Sequence, residues 1–84
     1  MTIAGELIKH GWGQRKFGLD GGPICLEMAA ITGYPGPHWQ AFEVLKELTG
    51  SDFLQKWNDA PDRTLEQVLH AAMEADERLE RLPR

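Results

Sequence analysis

Glycine and proline residues interrupt this chain of 84 residues so often that most of its uninterrupted segments are short. Because neither residue is well tolerated inside a helix, each interruption predicts the end of one element or the start of the next. Ten leucines and eight alanines outnumber two valines and four isoleucines, and unbranched side chains favour helix over strand. The sequence therefore predicts a mainly α protein: a compact bundle of about four to five short helices in a single domain, residues 1–84, with a small extended arm or hairpin near residues 12–21.

The first two predicted helices are delimited by capping and turn residues. Thr2 can cap a first helix, and Gly11 is placed to end it in the left-handed conformation. Pro23 is expected at the first helical position of a second helix, which Gly33 closes. This second helix is apolar on nearly every side, which indicates a central helix with Cys25 in its first turn.

The second half of the chain predicts three more helical segments. One runs over residues 38–48 and is ended by Thr49-Gly50. Ser51 is placed to cap a short turn that carries Phe53, Leu54 and Trp57. Thr64 and Gln67 have the spacing of a capping box, which starts a last helix that runs to about Leu82. Its predicted buried stripe consists of Leu65, Val68, Leu69, Ala72, Met73, Leu79 and Leu82.

Charge and cysteine content limit the function classes. Nine basic and 13 acidic side chains give a net charge of −4, the wrong sign for a protein that mainly holds nucleic acid or an anionic membrane. The excess of acidic groups lies in residues 43–84. One cysteine allows no internal disulfide, and no apolar run is long enough for a membrane span. We therefore expect a cytoplasmic protein without nucleic-acid or membrane partners.

Three short motifs carry a family resemblance. They are Gly11-Trp12-Gly13-Gln14, the cysteine-bearing run 22–26, and the run 57–69, which contains Trp57-Asn58-Asp59, Arg63-Thr64 and Val68. In order and spacing the chain resembles a family of small uncharacterised proteins from actinobacteria and their bacteriophages. That family is a domain of unknown function, so the resemblance implies origin and a common fold rather than an activity.

Cys25 is the one candidate nucleophile. A thiol in the first turn of a helix can have a lowered pKa, with His10 or His38 as base and Asp59 or Asn58 as the orienting group. The favoured alternative is a small buried apolar residue, because a chain this short leaves little room for a shielded active site. These residues lack the spacing of a metal site, so we expect neither a metal nor another cofactor.

The Trp57-Asn58-Asp59 motif is interpreted as architecture. Trp57 is expected to anchor a helix end, Asn58 to tolerate a left-handed conformation, and Asp59 to accept backbone N–H groups of the turn. Thr64 and Gln67 have a similar structural role as a helix cap. The alternative is that Trp57 and its polar neighbours form a recognition edge.

The favoured function is a non-enzymatic protein-binding module, which needs two or more of the loop aromatic residues to be exposed together. Its candidate binding residues are Trp12, Phe17, Tyr34 and Trp39, in or beside predicted loops. Trp12 and Trp39 are otherwise expected to cover the ends of the central helix. The expected partner is a host protein or a second copy of the chain, which includes a homodimer. The first alternative is a small Cys25-dependent hydrolase or transferase. The second is a DNA-binding regulator, although the candidate recognition segment 51–57 has only one basic residue.

Overall fold

Five helices form the fold in the computed structural model, which describes residues 2–15, 18 and 21–82. They are α1 (Ile3–His10), α2 (Leu26–Gly33), α3 (His38–Thr49), α4 (Leu54–Asn58) and α5 (Leu65–Glu80). The predicted mainly α class is confirmed. In the predicted arm, Trp12 forms an isolated parallel bridge with Ile24, while positions 16, 17, 19 and 20 lie outside the described residues.

Most of the predicted helix ends are confirmed, but the predicted cap at Ser51 is wrong, because α4 begins at Leu54 with Phe53 in the capping position and no side-chain cap bond. The Thr2 hydroxyl accepts the Gly5 N–H at the start of α1. Gly11 ends that helix as predicted, but with φ 83° and ψ 157° it is not in the left-handed helical conformation. Gly50 ends α3 in the left-handed conformation. At the start of α5 the Thr64 side chain accepts an N–H of the first turn, and the reciprocal bond completes the capping box.

The start predicted for α2 is wrong. The helix begins at Leu26, because the Ile24 N–H donates to the Gly11 carbonyl at 2.8 Å and the Ile24 carbonyl accepts the Gly13 N–H at 2.9 Å. These bonds hold the chain extended through Cys25, which has φ −86° and ψ 169°. Cys25 is therefore the capping residue, and its Sγ accepts the Met28 N–H at 3.3 Å.

Two close contacts hold α1 against its neighbours. The Asp76 carboxylate of α5 accepts the Ile3 N–H at 2.8 Å and the Ala4 N–H at 3.0 Å, so it satisfies two free donors at the start of α1. At the end of α2, a Cβ on Gly33 would lie 2.7 Å from the carbonyl carbon of Thr2. Only glycine fits this crossing without a shift of the backbone.

The buried side of α5 differs from the predicted stripe. Leu65, Met73 and Leu82 are exposed. The helix instead packs against α1 and α3 through small side chains, which let the helices approach closely. The buried residues of α5 are Val68, Ala71, Ala72, Ala75 and Leu79.

Within the described part of the chain, no helix is both long enough and apolar enough to cross a bilayer.

Candidate functional site

Asn58 is the centre of a buried hydrogen-bond network. Its side chain is fully buried, at 0% exposure, at the end of α4. Its Oδ1 accepts the Trp12 indole N–H at 2.7 Å and the Leu26 backbone N–H at 3.0 Å. Its Nδ2 donates to the Gly13 carbonyl at 3.1 Å and to Oδ1 of Asp59 at 3.0 Å. Two donors and two lone pairs are all that an amide offers, so the group is fully satisfied.

Gln14 and Asp59 extend this network to the surface. Nε2 of Gln14 donates to the carbonyls of Asn58 at 3.0 Å and Ala60 at 2.8 Å. The Asp59 carboxylate accepts the Arg15 N–H at 2.7 Å. It also accepts a bond from Nε2 of Gln55 at 3.0 Å.

These bonds decide the protonation of Asp59. Burial alone would raise its pKa, but hydrogen bonds from the Arg15 N–H and from the Asn58 and Gln55 side chains lower the pKa below its ordinary 3.8. The charged carboxylate is therefore the form that the network stabilises.

Trp57 and Arg63 form the outer side of the same region. The Arg63 guanidinium lies 3.9 Å from the Trp57 ring centroid, and its Nε donates to the Trp57 carbonyl at 2.8 Å. This cation–π contact holds the loop after α4 against the helix. Asn58 does not use the left-handed conformation that asparagine tolerates. It is the last helical residue of α4, and its side chain forms the buried network.

The two sequence motifs thus form one structural unit. The segment Gly11-Trp12-Gly13-Gln14 supplies donors and a carbonyl, and Asn58-Asp59 supplies their partners from more than 40 residues away. No pattern within either motif indicates this pairing, because Trp12 and Asn58 come together only when the chain folds.

Cys25 lacks the surroundings of a nucleophile. Its side chain is fully buried, and burial raises the pKa of the thiol above its ordinary 9.0, although N–H groups of the first turn of α2 oppose the rise. His10 pairs with Glu6 at 3.8 Å, and the His38 ring lies 6.4 Å from that of Phe42. Among the described residues, no hydrogen bond, ion pair or ring contact joins these two histidines or Asp59 to Cys25.

The described ranges of the chain contain no group of three His, Cys, Asp or Glu side chains placed to hold a metal ion.

The candidate binding aromatics occupy different environments. Trp12 is half-buried and bound to Asn58, and the half-buried Tyr34 donates its hydroxyl to Oε1 of Gln40 at 2.7 Å. Trp39 is exposed, and Phe17 lies outside the described residues. The structure therefore separates Trp39, which is free to contact a partner, from two aromatic residues that hold the fold together.

Trp39 shares a side of α3 with Phe42, which lines a groove with Phe53, and the sequence did not identify Phe42 or Phe53 as binding residues. Trp39 lies three residues before Phe42, so both occupy one side of α3. Phe42 and Phe53 line a common groove of about 230 Å³. Trp39 is 64% exposed and Phe53 is 66% exposed. We call these three residues the α3–α4 aromatic surface.

The reason Phe53 was missed is the length of α4. Phe53 lies before the first turn of this helix of five residues, which buries Leu54 and half-buries Trp57. The apolar pattern of the short segment does not distinguish which of its large side chains remains outside.

Comparisons with known proteins address identity. No curated protein and no solved structure matches the chain. A family model matches residues 2–78, which contain the Asn58 network, α1 to α4 and most of α5. The chain therefore belongs to DUF6197, a family of unknown function.

Proposed function

We propose that this protein is a non-enzymatic binding module that docks on a partner protein through the α3–α4 aromatic surface. The observation that carries the proposal is the exposure of Trp39 and Phe53, 64% and 66%. Phe42 relates the two, since it shares a side of α3 with Trp39 and lines a groove with Phe53. Exposed aromatic residues of this size supply much of the binding energy of protein interfaces.

The buried polar groups hold the fold together, which favours a function in which the protein surface binds a partner. The polar groups of Asn58 are all engaged in joining segments, and the Cys25 thiol is buried with a raised pKa. A nucleophile would need an accessible thiolate and a base beside it. The groove beside Phe53 is open at the surface, where a partner can enter it.

We further propose that this chain is a phage or actinobacterial accessory protein and that it acts on a host protein in the cytoplasm. The support is the resemblance of the Gly-Trp-x-Gln and Trp-Asn-Asp motifs to proteins of that origin. The acidic second half of the chain, with ten acidic and six basic side chains, favours a partner with basic groups at its interface.

Affinity purification with paired variants tests the proposal. The tagged chain is expressed in an actinobacterial host as wild type, as Trp39→Ala/Phe53→Ala, and as Ile8→Ala/Met73→Ala. Ile8 and Met73 are 73% and 61% exposed on other helices, so they control for the loss of exposed apolar area.

The aromatic double variant should recover at least about tenfold less partner than wild type, since hot-spot truncations cost ~2 kcal/mol or more. The control variant should recover the wild-type amount. Equal recovery of a partner by the aromatic variant, or no partner recovered by the wild type, would contradict the proposal.

A further inference from the structure

A second groove lies between the end of α3, α4 and the first turns of α5. Its volume is about 430 Å³, within the roughly 300–1,000 Å³ of small-molecule sites. It has an apolar wall and a polar lining, formed by Leu48, Trp57 and Ala71 and by Arg63, Gln67, His70 and Glu74. None of these residues belongs to the α3–α4 aromatic surface, so the groove is a separate site. It contains Trp57, for which the sequence leaves a recognition edge as an alternative.

The Arg63 guanidinium is held in place in this groove. It stacks on the Trp57 ring, 3.9 Å from the ring centroid, and its Nε donates to the Trp57 carbonyl at 2.8 Å. Its Nη1 lies 3.4 Å from Oε1 of Gln67, the oxygen that also accepts the Thr64 N–H, so the guanidinium lies at the start of α5. A side chain that is already ordered loses little further freedom when a ligand binds, which favours affinity.

The positive charge of Arg63 has no acidic partner in the described part of the chain. Asp62 and Glu66 are close to it in sequence, yet neither forms an ion pair with it. Within the same part of the chain, Nη1 makes only the long bond to Gln67, and Nη2 makes none. A guanidinium pairs with a carboxylate through two parallel N–H bonds. The two Nη groups of Arg63 therefore present a fork for the carboxylate of a ligand.

Glu74 is the carboxylate that lines the groove, and it lies further along α5. It comes ten positions after Thr64, a distance of roughly 15 Å along the helix. Its Oε1 is 3.8 Å from Nε2 of His70, so the protonated imidazole offsets its charge. The Arg63 end of the groove therefore favours an anion, although the chain as a whole is acidic.

The apolar wall decides which kind of anion fits. Leu48 and Trp57 are half-buried, so part of their apolar surface remains accessible beside Arg63. An inorganic anion would leave this surface in contact with water, whereas a carboxylate with an apolar body would bury it. The lining thus favours an organic acid over free phosphate.

We propose that this groove binds a small organic acid with an apolar body. Its carboxylate accepts N–H bonds from both Nη groups of Arg63, and its body packs against Leu48, Trp57 and Ala71. This binding function is additional to partner docking through the α3–α4 aromatic surface and does not depend on it.

Titration with three probes tests the ligand class on the intact chain. The ¹⁵N-labelled protein is titrated at constant ionic strength with 3-phenylpropionate, with the uncharged 3-phenylpropionamide, and with inorganic phosphate. The acid should shift the Arg63 Nε–H signal and the backbone signals of Gln67 and Ala71, and it should bind at least about tenfold more tightly than either other probe. No saturable shift with the acid, or equal affinity for the amide, would overturn the proposal. Equal affinity for phosphate would overturn the role of the apolar wall.

Substitutions locate the site. Arg63→Gln should weaken binding of 3-phenylpropionate at least about tenfold, because it removes the fork. Lys9→Gln is the matched control, since it changes the net charge equally at an exposed position outside the groove. Equal losses in both variants would mean that general attraction, and not the groove, holds the acid.

A second variant keeps the test valid if Arg63→Gln does not fold. Leu48→Ala leaves Arg63 in place and shortens the apolar wall, so it should weaken binding of 3-phenylpropionate about three- to tenfold. Its affinity for phosphate should stay at the wild-type value. Unchanged affinity for the acid in Leu48→Ala would contradict the proposed position of the ligand body.

Discussion

The indole N–H of Trp12 donates to Oδ1 of Asn58 at 2.7 Å across 46 positions of the chain. The same oxygen accepts the Leu26 N–H, so one amide connects the segment after α1, the start of α2 and the end of α4. This relationship explains why a short chain without a disulfide can order its loops: a buried polar group specifies which segments meet.

Substitutions at the two ends of this bond should differ in magnitude. Trp12→Phe removes one donor and leaves Asn58 bonded to Leu26, so it should lower the free energy of unfolding by about 1 kcal/mol. Asn58→Ala leaves the Trp12 and Leu26 N–H groups and the Gly13 carbonyl unpaired, which should cost about 3–5 kcal/mol. Urea denaturation monitored by circular dichroism measures both losses.

Thr32→Ala is the control for this pair, because its exposed hydroxyl bonds only within its own helix. It should change the free energy of unfolding by no more than about 0.5 kcal/mol. A loss from Asn58→Ala as small as that of Thr32→Ala would contradict the central role of Asn58.

Gly33→Ala should destabilise the protein although Gly33 is helical. Replacing a helical glycine by alanine ordinarily stabilises by up to about 1 kcal/mol. Here the new Cβ would meet the Thr2 backbone of α1, so the crossing must open and the free energy of unfolding should fall by about 1–3 kcal/mol. Thermal unfolding decides the sign, and a raised melting temperature would contradict the close approach of α1 and α2.

Cys25 should react slowly with alkylating reagents in the native protein. Iodoacetamide at neutral pH should modify the thiol much faster in urea than in buffer, because the side chain is buried and its pKa is raised. Mass spectrometry over time measures both rates. Rapid alkylation of the folded chain would instead favour the Cys25-dependent hydrolase or transferase.

The same thiol predicts a pH dependence at the alkaline end. A pKa raised in the folded state means that the thiol stabilises the fold below its ordinary pKa of 9.0, and that this contribution is lost as the pH rises above that value. The free energy of unfolding of the wild type should therefore fall more steeply above about pH 9 than that of Cys25→Ala. If the unfolding free energies of wild type and Cys25→Ala changed in parallel with pH, the predicted contribution of the thiol would be contradicted.

Asp59 predicts the opposite behaviour at acid pH. Its pKa is lowered in the folded state, so its contribution is present above the ordinary value of 3.8 and is lost as the pH falls through the folded value. The difference in unfolding free energy between wild type and Asp59→Asn should therefore shrink as the pH falls from 6 to 2. Urea denaturation across this range would contradict the account if the difference stayed constant.

Local features of the fold could be predicted from the sequence because they depend on neighbouring residues. The cap at Thr2, the glycine that ends α3 and the Thr64–Gln67 capping box all involve groups within four positions of one another. Features that depend on distant segments could not be predicted. Gly11 and Gly13 hold Ile24 extended and delay α2, which no pattern within residues 22–33 indicates.

The buried side of α5 and the candidate site around Asn58 show the same division between local and distant contacts. Leu65 and Met73 fit a helical apolar stripe, yet only the positions of α1 and α3 decide that the alanines of α5 are buried instead. Likewise asparagine is a residue typical of turns, so the sequence around Asn58 indicates a turn. Its hydrogen bonds with Trp12 and Gly13 are known only from the folded structure.

Photocrosslinking in the cell tests the docking surface most directly. The photoreactive residue p-benzoylphenylalanine is placed at position 39 or 53, and at positions 8 and 73 as equally exposed controls. The account predicts a crosslinked adduct with one partner protein from positions 39 and 53 and none from positions 8 and 73. Adducts from the control positions alone would contradict it.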